Sequence, residues 1–360
     1  MTRVELPLLT EVPELRTSPD WVRISMASAI ELGFRSGRFS RDFEFGGINL
    51  LLNYDEGCLS DCGYCGLART RPGDYGDKSF IRVEWPLVRT DELVDRMAER
   101  ISGLTRLCIS MVTHGHAYRD TCDITRRIRE KVHTPLSILV APPTLSRVRL
   151  EEFHALGVDM IGIGLDAVTE QLFRSLRTDV PAGGLSWDKY WEVVSDSREI
   201  FGPWKVNVHT LVGIGETDRD LIEIFARLRN QEIFSYLFCF NPEPDSRLGG
   251  TPKSELRRWR RIQLAKHLVE TEGLNPEAFH FDSDGALTHL DADESVIESV
   301  IEDGEAFMTD GCPGEKGEPG CTRPYGSYRP SEPFRDFPFQ PNHDDLREIR
   351  AQLDMTEILS

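Results

Sequence analysis

The stretch "YDEGCLSDCGYCGLA", Tyr54 to Ala68, carries Cys58, Cys62 and Cys65, three thiols within eight residues at C-x3-C-x2-C spacing. Deprotonated thiols packed this tightly hold soft metals, and three thiolates on one loop can each take one iron of a [4Fe–4S] cube. No nearby His or fourth Cys completes the set, which leaves one iron open. A zinc site completed by a distant ligand is the alternative, although zinc knuckles usually read as C-x2-C pairs.

An open iron can take the amino and carboxylate groups of S-adenosylmethionine, and an electron passed to the sulfonium then releases a 5′-deoxyadenosyl radical. The loop resembles the signature of the radical S-adenosylmethionine superfamily, including Tyr64 just before the last cysteine. By that resemblance Tyr64 packs near the adenine. Two further segments resemble the biotin synthase branch. In "LGVDMIGIGLDAVTEQLF", Asp166 occupies the place of a carboxylate that meets the ribose hydroxyls; in "VNVHTLVGIGET", Gly213, Gly215 and Glu216 match a turn that lets the backbone approach the adenine. A Gly–Glu motif of the family, which holds the methionine amino group, is absent from "SMVTHGHAYRD".

Five more cysteines lie elsewhere. Cys108, in "RLCIS", sits where biotin synthases place a ligand of a second, sulfur-supplying cluster, but Asn207 stands where that family has another cysteine. Cys312 and Cys321 lie in "DGCPGEKGEPGCTRPYGSYRPSE", whose glycines give the backbone freedom to wrap a metal. That segment resembles the tail of the two-component, archaeal-type lipoyl synthases, and the resemblance implies an auxiliary Fe–S cluster. Cys122 opens the helix after the second strand and by itself reads as structural, but Cys108, Cys122, Cys312 and Cys321 together are the expected ligand set. Cys239 lies in a strand and reads as structural. His114 and His116 fall in a loop where a substrate contact and a plain polar loop are equally open, and His209 carries no assigned chemistry.

These residues need a scaffold. The chain has 360 residues, 39% hydrophobic and 28% charged, with a formal charge of −18. Such acidity argues against a nucleic-acid surface, which relies on clustered Lys and Arg. The basic stretch "SELRRWRRIQLAKH" reads as a solvated helix face. No apolar run reaches the length of a membrane span, and the opening residues lack the apolar core of a secretory signal, so a cytoplasmic protein with no membrane partner is expected. In a reducing compartment, clustered cysteines point to metal rather than disulfides.

Short apolar runs alternate with amphipathic ones: "INLLLN", "RLCISMV", "LSILVA", "MIGIGL", "VNVHTLVGIG", "FSYLFCFNPEP", "AFHFDSDG" and "GEAFMTDG" are eight candidate strands. That alternation predicts an α/β fold, a (β/α)8 TIM-type barrel in which loops after strands carry the active site. Residues 1–45 are read as a capping segment with a helix over 18–37, 46–310 as the barrel, and 311–360 as an irregular extension forming an ordered, metal-pinned lid.

The resemblance implies sulfur insertion at an unactivated C–H bond of an octanoylated carrier protein or peptide, with a sister radical protein and a reductant such as ferredoxin or flavodoxin as partners. A mutase or lyase similar to methylornithine synthase or the hydrogenase-maturation enzymes, and a biotin synthase-like sulfurtransferase on a small molecule, are the rivals. A non-catalytic electron-transfer or metal-storage protein is the reading from a different class.

Overall fold

The computed structural model describes residues 15–179, 184–329 and 331–354; the first fourteen residues of the expected capping segment lie outside them. Ten strands are present among the described residues: β1 (Trp21–Ile24), β2 (Gly47–Leu52), β3 (Leu87–Arg89), β4 (Arg106–Ser110), β5 (Leu136–Val140), β6 (Met160–Asp166), β7 (Val206–Val212), β8 (Phe234–Cys239), β9 (Phe279–Phe281) and β10 (Leu287–Leu290). Eight form one sheet in the order β3-β1-β2-β4-β5-β6-β7-β8. From β2 to β8 every pairing is parallel. All six residues of β2 are buried, as expected of a strand covered on both faces. Helices Thr90–Glu99, Ala117–Lys131, Arg147–Ala155, Trp187–Phe201, Asp218–Asn230 and Leu256–Glu270 alternate with the strands.

The α/β class with a parallel-rich sheet is as the sequence predicts, but six parallel strands rather than eight make up its body. "AFHFDSDG" contributes β9, which pairs only with β10 in a separate antiparallel ribbon. "GEAFMTDG" forms a 3-10 turn over Glu305–Phe307 after a helix that ends at left-handed Gly304. The two remaining places in the sheet are filled from the N-terminal side. β1 pairs antiparallel with both β2 and β3, so the expected capping helix is a strand followed by only one short helix, Met26–Glu31. The pattern "WVRI" alternates too briefly to announce a strand by itself.

The C-terminal extension is ordered, but it is a side wall and floor rather than a lid. It leaves the free edge of β8, where Asp310 accepts the Leu237 N–H at 2.9 Å and pairs with Lys266 at 2.8 Å. It then crosses to β2, where a Cβ on Gly47 would stand only 2.5 Å from the Gly320 carbonyl. The chain returns to pack on the helix Leu256–Glu270, whose Trp259 donates to the Arg335 carbonyl at 2.7 Å. Trp259 and Arg260 are fully buried there, so the basic stretch is a docking helix for the tail and not a solvated face. The last described element of the extension is a regular helix, His343–Leu353, opened by a capping box between Asn342 and Asp345. Arg41 clasps Asp345 with two bonds of 2.6 and 2.7 Å, tying that helix to the N-terminal side.

Candidate functional site

Side chains from all six parallel strands line a single cavity of about 290 Å³. Cys58, Cys62 and Cys65, on the loop after β2, line it together, as expected for the face at the strands' C-terminal ends. Burial, and then repulsion from Cys62 and Cys58, hold the Cys65 thiol well above its ordinary range. Bound irons would relieve that repulsion, so the donor set suits a cluster. Among the described residues no three His, Cys, Asp or Glu side chains are placed to share one metal ion. Cluster thiolates each take a separate iron and need not converge on one point.

Asp166 ends β6 at a register shift against β7 and adopts φ +62°, a left-handed conformation that Asp tolerates better than most residues. The bulge aims its carboxylate into the cavity, where the Tyr64 hydroxyl donates to it at 2.5 Å. Tyr64 and Asp166 are thus brought together as a pair. Arg177 stands 3.5 Å from the same carboxylate and donates to the Leu165 carbonyl at 2.6 Å and to the Tyr190 hydroxyl at 2.8 Å. Sequence reasoning missed Arg177 and Tyr190. A buried arginine eleven residues past a site carboxylate leaves no local pattern to read.

Gly213 and Gly215 form the turn after β7 with φ +109° and +121°, angles at which a side chain is strained. Glu216 lies beneath that turn and does not line the cavity. Its carboxylate accepts the N–H groups of Gly213 (2.8 Å) and Ile214 (2.9 Å) and pairs with Arg258 at 2.9 Å. Glu216 therefore positions the turn, its carboxylate engaged by backbone N–H groups and Arg258 away from the cavity lining.

At the other end of the cavity lie Cys108, Cys312 and Cys321. Cys108 sits in β4 between Asn49 of β2 and Ser137 of β5. The two tail cysteines face each other across a tight hairpin, with the Cys321 N–H donating to the Cys312 carbonyl at 3.0 Å. Two glycines make this closure possible: a Cβ on Gly311 would fall 1.9 Å from the Cys321 carbonyl oxygen, and one on Gly320 2.8 Å from the Arg106 Cβ. Arg106, buried and clamped by Asp159 at 2.6 and 3.0 Å, donates through Nε to the Pro313 carbonyl at 2.7 Å and fixes the hairpin beneath the strands. Burial, then the neighbouring Cys321 and Cys312, push the Cys108 thiol up to about 12. Asn207 donates to the Cys312 sulfur at 3.5 Å, and the Cys321 thiol donates to Asn49 Oδ1 at 3.3 Å.

Cys122 is not part of this group. It is buried against Tyr118 and Glu152, where its helix Ala117–Lys131 meets the helix Arg147–Ala155, and it does not line the cavity. Cys239 lines the upper wall beside Phe240. His114 stacks on Tyr54 with centroids 3.9 Å apart, outside the cavity lining. His209 and Arg323, unassigned from sequence, both face the cavity and both touch Phe238; burial first, then Arg323, lowers the imidazole to about 3 and keeps it neutral.

No helix among the described residues is long and apolar enough to cross a membrane. No curated protein matches the chain closely enough to be counted a relative. Among solved structures, the FeFe-hydrogenase maturase HydG from Carboxydothermus hydrogenoformans is similar over 68% of this chain and 56% of its own, at 15% identity and a TM-score of 0.45. Coproporphyrinogen III oxidase from Escherichia coli, a radical SAM enzyme, is similar over 60% of this chain and 50% of its own, at 14% identity and a TM-score of 0.39. The chain thus spans little more than half the length of these proteins. The family model of the Radical SAM superfamily matches residues 52–228, from the end of β2 through the helix after β7, and the chain belongs to that superfamily.

Proposed function

We propose that this radical SAM enzyme inserts sulfur at an unactivated C–H bond of an apolar chain, as the two-component lipoyl synthases it resembles do on an octanoylated carrier. The observation that carries the reading is the second group of thiols: Cys108, Cys312 and Cys321 stand at the floor of the same cavity whose mouth holds Cys58, Cys62 and Cys65. Cys58, Cys62 and Cys65 would hold the mouth cluster, which with S-adenosylmethionine and one electron from the reductant would supply the radical chemistry that opens the C–H bond, and Cys108, Cys312 and Cys321 would hold a floor cluster, which would supply the sulfide and accept the electron released as the C–S bond forms. The chain's own residues do the rest. Tyr64 and Asp166 offer polar contacts to the nucleoside, Arg177 holds that carboxylate in place, and Glu216 fixes the turn beside it. Between the two ends the cavity is walled by Leu139, Val140, Leu211, Phe238 and Phe240, side chains that exclude water and fit an aliphatic chain. Two insertions on one substrate call for a sister protein, and the carrier must present its chain at the mouth.

The wall formed by the tail favours a second reading, in which any metal at Cys312 and Cys321 only pins the tail and the enzyme is a mutase or lyase. A Cys312→Ala, Cys321→Ala variant separates the two. Sulfur insertion predicts that it keeps about four irons and cleaves S-adenosylmethionine yet makes no thiolated product, while the intact protein passes isotopically labelled cluster sulfide into product. Full turnover of the double variant on its substrate would overturn the proposal.

A further inference from the structure

We infer that the floor site carries a fourth, non-thiol ligand, the side-chain oxygen of Asn207. The inference rests on the auxiliary-cluster reading above. Asn207 is fully buried, and its Oδ1 is without a hydrogen-bond partner, a costly state for an amide oxygen removed from water. Its Nδ2 donates to the Cys312 sulfur at 3.5 Å, which fixes the direction of the other end of the amide. Oδ1 lies over the bare backbone of Gly162, the neighbour of Asn207 across the β6–β7 pairing, where an added Cβ would stand 2.9 Å away. The oxygen thus faces cavity space that no side chain of β6 enters.

Among the other polar side chains around the three thiols, the Ser137 hydroxyl donates to the Leu107 carbonyl at 3.2 Å and Arg106 is held by Asp159 and Pro313. Asn49 Oδ1 accepts from the Cys321 thiol, a donor lost when that thiol ionises, and His209 shares the Gly162 site with Asn207, so these two are the rival ligands. Three thiolates and one neutral oxygen make an uneven set: three irons are held by sulfur and the fourth by a donor that leaves easily. Such a cluster has one labile corner, which suits a group that must be opened to give up sulfide.

The test uses the full-length chain with Cys58, Cys62 and Cys65 replaced by Ala, so that only the floor site takes iron during anaerobic reconstitution with ferrous iron and sulfide. On mild oxidation the reconstituted protein should show the EPR signal of a three-iron cluster, from loss of the corner iron. Adding Asn207→Cys should suppress that signal and slow iron release to a ferrous chelator at least tenfold; Asn207→Ala should increase the signal and speed release; Asn207→Asp, which keeps an oxygen, should restore slow release. Circular dichroism on each variant confirms that the fold is kept. Identical signals and release rates in all four proteins would overturn the Asn207 assignment while leaving the cluster intact, as would a response to His209→Gln in place of Asn207. Failure of the triple-alanine protein to bind any iron would sink the floor cluster itself, and this assignment with it.

Discussion

Replacing Glu216 by Gln tests whether a buried carboxylate holds the turn that the family resemblance assigns to the nucleoside. The wild-type side chain is fully buried, accepts two backbone N–H bonds at 2.8 and 2.9 Å, and meets Arg258 at 2.9 Å. Hydrogen bonds to a charged acceptor contribute about 1.5–3 kcal/mol each. Glutamine keeps one carbonyl oxygen, so one bond survives in weaker neutral form. Its NH2 group confronts the second backbone donor, converting a bond into a repulsion. Arg258 is not orphaned, because Asp218 still holds its Nε at 2.7 Å, which keeps the change well short of breaking a buried pair outright. The expected loss is about 2–4 kcal/mol. It is read as a fall in the urea midpoint of the reduced, iron-free protein at unchanged slope, with a parallel weakening of S-adenosylmethionine binding after reconstitution. Gly213 and Gly215 sit at positive φ and cannot hold the turn through their own side chains. A loss below about 1 kcal/mol would show that the backbone forms this turn unaided, and the positioning role given to Glu216 would be refuted.

Replacing Cys58, Cys62 and Cys65 together by Ala should abolish 5′-deoxyadenosine formation, measured by chromatography, because no other thiol lines the mouth on that loop; retained cleavage would contradict the placement of the radical chemistry. Asp166→Asn should weaken S-adenosylmethionine binding by about 1–3 kcal/mol in a calorimetric titration, since a charged acceptor is lost without change of shape; unchanged affinity would place the ribose elsewhere. Stability should also depend on Asp336, whose carboxyl is pushed from 3.8 up to about 7 by burial, against partial relief from Arg323 and Arg260. Between those two values the folded state keeps a proton that the unfolded state has lost, so stability falls as pH rises through the window and levels off above it, by at most roughly 4 kcal/mol. Asp336→Asn should therefore be more stable than wild type at pH 8, with the advantage shrinking toward pH 5 in denaturant midpoints; equal profiles would exclude this carboxyl as the source.

The mouth of the site was legible because its chemistry is local. Three cysteines at fixed spacing after an apolar run declare both a cluster and its place at the end of a strand, and a glycine pair after β7 declares a turn at positive φ. The role of Glu216 was not legible: a motif names a residue without saying whether its carboxylate faces ligand or backbone, and here the two N–H groups consume it. Strand assignment failed where periodicity was short. "WVRI" entered the sheet because β2 and β3 offered edges to pair with, whereas "GEAFMTDG" lost its place because the helix Glu294–Asp303 delivers the chain through Gly304 into a turn. Cys122 was grouped with the cavity by its position after β4, but helical periodicity, which decides the face, turned it toward Tyr118 and Glu152.

The tail shows most clearly why the rest was out of reach. Its Pro and Gly content implies irregular backbone, and its aromatics imply order, but nothing in it states which end of the strands it covers. That is settled by partners more than two hundred residues away. Arg106 draws the Pro313 carbonyl under β4, Asn49 meets Cys321, and Gly47 leaves room for the Gly320 carbonyl. Each contact lies at or near the N-terminal end of a strand, so Cys312 and Cys321 come up from the floor toward Cys108 instead of down from the mouth toward Cys65. The consequence for chemistry is direct. Thiols in a lid would share the mouth with the first cluster and would leave an extended substrate to run outward. Thiols at the floor put an apolar passage between the two groups, and under the proposed sulfur insertion the carbon that loses its hydrogen would have to lie within that passage, within reach of both ends, because the same carbon must meet the floor sulfide.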